Sequence, residues 1–145
     1  MLALALGGLT AACGEGTDRL VTAAMIEGDA IPAPFTDIAG DPERGAEIFV
    51  ARERGHCVLC HAVDGLDAEF QGDVGPALTG VGARLSPGQL RLRIADPARL
   101  WPDTVMPPYY RVSGLNQVAG AYQGQPVLNP QEVEDVIAYL SGLKG

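Results

Sequence analysis

The sequence predicts an all-α domain that begins near residue 41 and follows an extended N-terminal segment. Three sites combine a helix-capping residue with a proline at the first helical position: Asp41-Pro42, Ser86-Pro87 and Asn129-Pro130. No run of β-branched residues long enough for a strand precedes residue 57. The segments between the helix starts are rich in Gly and Pro, which indicates loops.

The first helix is predicted from Asp41 to Arg54, with Gly45 and Phe49 on one face because they lie four residues apart. The second runs from Gly88 to about Ile94 and ends before an Asp-Pro pair. The third begins at Asn129-Pro130 and has Tyr139 at the edge of an apolar stripe, formed by Val133, Val136, Ile137 and Leu140. Residues 65–82 are predicted to be a turn-rich loop.

The chain divides into three parts. Residues 1–13 resemble an export signal or lipoprotein signal, residues 14–40 form an arm that contains Ile31-Pro-Ala-Pro-Phe35, and residues 41–145 form the helical domain. A domain of this size buries only about two-thirds of its unfolded surface, so a large cofactor would be a major part of its core.

The charge of the chain argues against nucleic-acid binding. It carries 18 Asp and Glu against 10 Lys and Arg, and a nucleic-acid surface needs clustered positive charge. The main basic concentration is Arg84, Arg91, Arg93 and Arg99. We predict a solvated helix face for it; the alternatives are a docking surface for an acidic partner and contacts to cofactor carboxylates.

The first residues predict export to the periplasm. They are apolar and end in small residues, although the first positive charge comes only at Arg19, so the start is either an atypical signal or internal to a longer gene product. Leu9-Thr10-Ala11-Ala12-Cys13 resembles a lipoprotein cleavage box. Cys13 is therefore either a lipid anchor or part of an ordinary signal peptide, and both alternatives export the domain.

The motif Cys57-Val-Leu-Cys60-His61 is compatible with a zinc site, a redox dithiol or covalently attached haem. A structural zinc site needs four ligands, and outside the motif the chain offers only Cys13 and His56. A thioredoxin-like dithiol follows a buried strand, whereas the residues before Cys57 have a helical pattern. Haem attachment uses all three residues, because two thiols bind the porphyrin and the adjacent imidazole binds iron.

A second axial ligand is predicted at Met106, in the proline-stiffened loop Thr104-Val-Met-Pro-Pro108. Proline fixes φ, so such a loop holds a side chain at low entropic cost. The rivals are Met1, Met25 and His56, and His56 is adjacent to the tether on the proximal side. The sequence predicts one haem c with His61 and Met106 as axial ligands and Cys57 and Cys60 as tethers.

These motifs together resemble class I cytochrome c. The resemblance rests on Gly45 and Phe49 of the first helix, the Cys57–His61 motif, the late Met loop, the terminal helix with Tyr139, and a Gly-Pro-x-Leu loop at residues 75–78. It implies that the terminal helices cross at the glycine. It also implies that the carbonyl of Pro76 accepts a hydrogen bond from the free nitrogen of His61, which fixes the imidazole.

The chain is more specifically similar to the SoxX family, the monohaem subunits of SoxAX complexes. The similar segments are 31–35, 40–45, 105–115, 124–128 and 131–140, and Phe35 stands where a Leu is expected. The resemblance implies a heterodimer with a SoxA-like cytochrome c, a soluble cytochrome as electron acceptor and an indirect role for a thiosulfate-carrier protein. This chain would be the non-catalytic electron-transfer subunit of an L-cysteine S-thiosulfotransferase.

With both axial positions filled by protein, the predicted chemistry is one-electron exchange, and a soft Met ligand raises the reduction potential. The alternative function is a free-standing periplasmic monohaem cytochrome c that carries electrons between another dehydrogenase and an oxidase. Tyr109 and Tyr110 beside the Met loop are predicted either to contact a partner or to pack over the haem edge.

Overall fold

The computed structural model describes residues 20–145, and within this range the chain forms four α-helices, four short 3₁₀ turns and no β-strand. The predictions for Met1 and Cys13 lie outside the described residues. No helix in residues 20–145 has the length and apolar character needed to cross a membrane. The helices are α1 (Pro42–Val50), α2 (Val81–Arg84), α3 (Pro87–Ala95) and α4 (Pro130–Gly142). The prediction of an all-α fold is confirmed.

The three predicted helix starts are present, each with its capping hydrogen bonds. At α1 the Asp41 carboxylate accepts from the backbone N–H groups of Glu43 and Arg44. The two later helices each begin with a capping box, in which the cap side chain and the side chain three residues on accept from each other's backbone N–H. These pairs are Ser86 with Gln89 and Asn129 with Glu132.

The first helix ends earlier than predicted, at Val50 rather than Arg54. Ala51 is extended (φ −66°, ψ 121°), and its carbonyl accepts from the N–H groups of both Arg54 and His56. The resulting turn packs Gly55 against α1. A Cβ added to Gly55 would lie 2.7 Å from the carbonyl oxygen of Ile48. Helical propensity continues to Arg54, but tertiary packing reverses the chain before the cysteine motif.

The loop predicted for residues 65–82 is largely correct, but its last two residues belong to α2. This helix is one turn long, Val81–Arg84, and carries too few residues for a helical period to be read. Its backbone lies against the end of α4: an added Cβ on Gly82 would lie 2.7 Å from the carbonyl oxygen of Leu140.

Helices α1 and α4 cross in direct backbone contact at Gly45. A Cβ there would lie 2.6 Å from the carbonyl carbon of Asp135 and 2.8 Å from the Cβ of Tyr139, so only glycine allows this separation. One turn further along α1, the rings of Phe49 and Tyr139 pack tilted at 59°, with centroids 5.5 Å apart. The predicted crossing of the terminal helices is confirmed.

The predicted apolar stripe of α4 forms the centre of the main core. Its four members are buried and pack with Phe49 of α1, Leu90 and Ile94 of α3, and Leu128. Because α1, α3 and α4 each contribute one apolar face, the core is closed on one side by helices. On the other side it is lined by the loops that carry the cysteine motif and the Met loop.

Residues 20–40 pack against α3. Ile31 is fully buried, its N–H donates to the carbonyl of Gly88 (2.9 Å), and its own carbonyl accepts from the Arg91 guanidinium (2.6 Å). Arg91 also makes two 2.7 Å bonds to the Glu134 carboxylate of α4, and that carboxylate accepts from the Phe35 N–H (2.9 Å). A buried ion pair with every partner in place therefore joins the N-terminal segment, α3 and α4.

The four arginines predicted to share a solvated helix face do not form one. Arg91 is 4% exposed and paired with Glu134, and Arg99 pairs with the buried Asp96. Arg84 donates to two backbone carbonyls of its own loop, and Arg93 pairs with Asp29. The prediction of a solvated face was wrong because tertiary contacts turn Arg91 and Arg93 toward carboxylates distant in the chain, while Arg99 pairs with a carboxylate three residues away.

Replacing Gly45 by Val should separate α1 from α4. We expect the free energy of unfolding of the holoprotein to fall by about 1–3 kcal/mol, because the added carbons meet backbone rather than a flexible side chain. Urea unfolding followed by circular dichroism measures the change.

The matched control is Gly142→Ala in α4, where an added Cβ meets nothing within 4 Å. This variant should be neutral or gain up to about 1 kcal/mol from helix propensity. Equal unfolding free energies for Gly45→Val and wild type would contradict the close crossing.

Candidate functional site

A largely apolar cavity of about 640 Å³ lies between the helical core and the loops. Its wall includes side chains from α1, α2, α3 and α4, among them Phe49, Val81, Leu90, Ile94, Val136 and Leu140. The volume is in the range of cofactor sites, which are mostly apolar with few polar groups. The polar groups of this wall include the cysteines and the histidine of the Cys57–His61 motif.

All five predicted site residues line this one cavity: Cys57, Cys60, His61, Pro76 and Met106. They come from three loops, and the folded chain brings them together. The sequence predicted that all five contact one haem, and their position in the wall of one cavity is consistent with that prediction.

The cysteine motif forms a short helical turn that directs its three functional side chains to one side. Residues 57–59 form a 3₁₀ turn, and the carbonyl of Cys57 accepts from the N–H groups of Cys60 (3.1 Å) and His61 (2.9 Å). Residues three and four apart in a helical turn share a face, so the two thiols and the imidazole point toward the same volume.

His61 is held in one orientation by its ring nitrogen Nδ1, which lies 2.7 Å from the carbonyl oxygen of Pro76. Since that carbonyl can only accept, Nδ1 carries the proton and Nε2 is left with a free lone pair for a metal. The ring also lies directly against Gly75, where an added Cβ would be 2.6 Å from Nδ1 and 2.8 Å from Nε2. The predicted hydrogen bond between His61 and Pro76 is present. Gly75 must be a glycine because any side chain there would displace the His61 ring from this bond.

The thiol of Cys57 is not tuned for redox exchange. Burial, with a smaller contribution from the neighbouring Cys60, raises its pKa to about 12. Reactive thiols of redox dithiols have lowered pKa values, because the thiolate is the nucleophile. The environment of this half-buried cysteine therefore suits a covalent attachment point better than a dithiol that exchanges with other proteins.

Of the candidates for a second axial ligand, Met106 and His56 line the cavity, whereas Met25 packs in a separate cluster with Val21 and Ile31. Met106 is half-buried, and its N–H donates to the Thr104 hydroxyl (3.2 Å). Among the described residues, only Met106 offers a thioether to this volume.

His56 is a cavity-lining residue that sequence reasoning placed only beside the tether. It has a left-handed backbone (φ +46°), which is uncommon for a residue other than glycine. It lies directly before the cysteine turn, in the wall of the cavity. The sequence carries no signal of this backbone conformation.

Arg84 and Arg93 also line the cavity, although each is engaged within the chain as described above. The guanidinium of Arg93 lies 5.4 Å from the ring centroid of Trp101, which is also in the wall. The alternative of contacts to cofactor carboxylates stays a prediction for these two arginines. The pairing of Arg93 with Trp101 depends on tertiary structure and has no sequence signature.

Tyr109 and Tyr110 make contacts within the chain. The Tyr109 ring is in the cavity wall, its hydroxyl donates to the carbonyl of Gly55 (2.8 Å), and burial raises its pKa, so the hydroxyl remains a donor. Tyr110 packs on Phe35, with ring centroids 4.7 Å apart. The predicted packing at the site therefore fits Tyr109, whereas Tyr110 packs on Phe35 and is not in the cavity wall.

These features fit haem c. The site has an apolar wall of suitable volume, two thiols spaced on one helical turn, and an imidazole whose Nε2 is free to bind iron because its Nδ1 is engaged. A glycine lies flush against that imidazole, and a methionine lines the same wall. Every residue that covalent haem attachment requires is present in a compatible arrangement.

The comparisons with known proteins agree with this fit. A model of the cytochrome c family matches residues 42–144, and the chain belongs to this family. It is therefore an electron-transfer protein that binds haem c covalently. No curated protein sequence matches the chain significantly.

A solved structure makes the assignment more specific. The chain is 36% identical to a chain of the crystal structure of SoxXA from P. pantotrophus, with a TM-score of 0.75. The match covers 81% of this chain and 91% of that chain. The resemblance to SoxX and the class I cytochrome c fold are confirmed.

Replacing Gly75 by Ala should displace the His61 ring and break its bond to Pro76. An imidazole without this acceptor is a weaker donor to iron, so we expect the reduction potential to rise by about 40 mV, the equivalent of one hydrogen bond in a one-electron couple. Spectroscopic redox titration measures the shift.

Gly120→Ala is the matched control, since an added Cβ there meets nothing within 4 Å and the residue does not line the cavity. Its potential should equal that of wild type. A Gly75→Ala protein with the wild-type potential would contradict the role assigned to this contact.

Proposed function

We propose that this chain is the monohaem electron-transfer subunit of a SoxAX-type thiosulfate-oxidising complex. It accepts electrons released when a SoxA-like partner joins thiosulfate to a carrier-protein cysteine, and it passes them to a soluble cytochrome. The observation that carries the proposal is the 36% identity over 91% of a chain in the SoxXA structure. The haem-sized cavity with its oriented His61 supports the electron-transfer role.

Each site residue has a defined role. Cys57 and Cys60 are the tethers, His61 and Met106 are the axial ligands, and the Pro76 carbonyl orients His61. When bound, haem c supplies one-electron exchange between ferric and ferrous iron. The apolar wall excludes water, and the thioether of Met106 favours the reduced state, which suits a subunit that receives electrons.

Three exposed apolar side chains at the cavity wall are our candidates for contact with the partner: Val74, Trp101 and Val105, which are 69%, 52% and 83% exposed. We name this set the cavity rim. Large exposed apolar groups that lie together mark interaction sites, because burying them on association is favourable. The rim replaces Tyr109 and Tyr110 as the predicted contact surface, since both tyrosines are engaged within the chain.

Location in the periplasm is part of the same proposal, with Cys13 as either a lipid anchor or part of a removed signal. The apolar start of the sequence, which ends in small residues, supports export. The mass of the mature protein distinguishes the two alternatives, because acyl groups on Cys13 add mass that a cleaved signal peptide does not leave.

Met106→Leu tests the ligand assignment. Leucine fills a similar volume without a sulfur, so we expect loss of the thioether-to-iron charge-transfer absorption in the ferric protein. The reduction potential should also fall, because the soft ligand that favours ferrous iron is removed. Optical spectra and redox titration measure both effects.

His56→Ala is the parallel variant, since His56 is the other candidate that lines the cavity. It should keep the charge-transfer absorption. If Met106→Leu keeps that absorption and the wild-type potential, Met106 is not the ligand.

Affinity capture of the holoprotein from the periplasm of thiosulfate-grown cells tests the complex. We expect a second c-type cytochrome at equal stoichiometry. Haem c without a partner would instead favour a free-standing carrier between another dehydrogenase and an oxidase.

The rim is tested in the same assay with Val105→Asp against Ile38→Asp. Ile38 is also exposed (68%) but lies outside the cavity wall. Val105→Asp should weaken partner binding by about tenfold or more, since it buries an unpaired charge, whereas Ile38→Asp should bind as wild type. An unchanged haem spectrum in both variants separates docking from damage to the site, and equal binding by both would contradict the rim as the contact surface.

A further inference from the structure

One hydrogen bond connects the residue that follows the Met loop to the segment that carries the haem tether. The hydroxyl of Tyr109, three residues after Met106, donates to the carbonyl of Gly55 at 2.8 Å. Gly55 lies two residues before Cys57, and both the Tyr109 ring and Met106 line the cavity. The bond therefore joins the segment that follows Met106 to the segment that precedes the two tether cysteines.

The Met loop is fixed at its C-terminal end. The N–H groups of Tyr109 and Tyr110 donate to the carbonyls of Ile94 and Ala95 at the end of α3, both at 3.1 Å. The carbonyl of Tyr109 in turn accepts from the N–H of Leu128 at 3.1 Å. These three backbone bonds hold residues 109 and 110 in place on both sides.

An ion pair secures the next residue. The guanidinium of Arg111 donates to the carboxylate of Asp96 at 2.8 Å, and Asp96 is 1% exposed. Between this fixed segment and Met106 stand only Pro107 and Pro108, whose φ angles are restricted by their rings. A displacement of Tyr109 would therefore be passed to Met106 through a stiff link of two residues.

The other end of the bond lies in a constrained turn. Gly55 is buried, and an added Cβ would lie 3.1 Å from the Cys57 sulfur. The next residue, His56, has a left-handed backbone. This conformation costs free energy and persists only where surrounding contacts hold it. The Tyr109 hydroxyl contacts the carbonyl of the peptide that leads into this residue, so it stabilises the turn that starts the cysteine motif.

We propose that Tyr109 is a positioning residue that couples the tether turn to the Met loop and thereby keeps the Met106 thioether at the iron. The inference rests on the proposed role of Met106 as a ligand. Tyr109 acts through Met106 and is not itself a ligand.

Tyr109→Phe removes one oxygen atom and leaves the ring in the cavity wall. We expect Met106 to be displaced more readily, so that ferric Tyr109→Phe holoprotein binds added imidazole about fivefold more tightly than wild type, the equivalent of one lost hydrogen bond. The titration follows the loss of the thioether-to-iron charge-transfer absorption, which a change in global stability alone would not produce.

Tyr122→Phe is the matched control. The Tyr122 hydroxyl donates to the carbonyl of Glu53 at 3.1 Å, in the same turn, but Tyr122 is outside the cavity wall and far along the chain from Met106. Imidazole affinity in this variant should equal that of wild type. Tyr110→Phe, which keeps its stacking on Phe35, should also be unchanged.

The possible outcomes distinguish a failure of the Tyr109 inference from a failure of the Met106 ligand assignment. A wild-type charge-transfer absorption together with wild-type imidazole affinity in Tyr109→Phe overturns the inference and leaves the ligand assignment intact. An equal rise in affinity in Tyr122→Phe also overturns it, because the effect would then belong to the turn as a whole. Absence of the absorption in the wild-type protein overturns both the ligand assignment and the inference.

Discussion

The contact between α1 and α4 at Gly45 is the constraint on which the rest of this structure depends. Because no side chain separates the two backbones, the aromatic rings of Phe49 and Tyr139 meet one turn away, and the apolar stripe of α4 faces inward. The turn after α1 then brings the cysteine motif against this core. A wider crossing would move Cys57 away from the wall formed by α3 and α4.

Charged groups hold the remaining elements around this crossing. The Arg91–Glu134 pair joins the N-terminal segment to two helices, and Asp96 joins the end of α3 to the residues that follow the Met loop. Buried pairs of this kind are costly to desolvate and contribute little net stability when all partners are present, but losing one partner is severe. Their effect here is to specify where loops without regular structure lie.

Local and long-range contacts both build the site. On the tether side, one helical turn directs Cys57, Cys60 and His61 to the same face, and the carbonyl of Pro76 orients the His61 ring. The opposite side has distant contacts, because the residues that follow the Met loop bond to α3 and to the tether turn.

The sequence by itself determined the helix starts, the all-α class, the attachment motif and the family resemblance. These depend on short-range chemistry: a cap and a proline begin a helix, and thiols three residues apart reach one porphyrin. Met106 was predicted as the second ligand because two prolines follow it and its rivals are few, and the structure places it in the cavity wall. Pro76 came from the family resemblance, and the hydrogen bond it predicted is present.

Tertiary structure alone decided where α1 ends, how the arginines are used and what Tyr109 and His56 contact. Arg91 and Arg99 look alike in sequence, yet one is buried against Glu134 while the other pairs with Asp96 at a more exposed position. The partner of Arg91 lies 43 residues away, and a single-sequence pattern does not reveal such a pairing, whereas the partner of Arg99 lies only three residues away. The physical reason is that a side chain's role depends on the neighbours that folding brings to it, whereas caps, turns and attachment motifs depend on neighbours already adjacent in the chain.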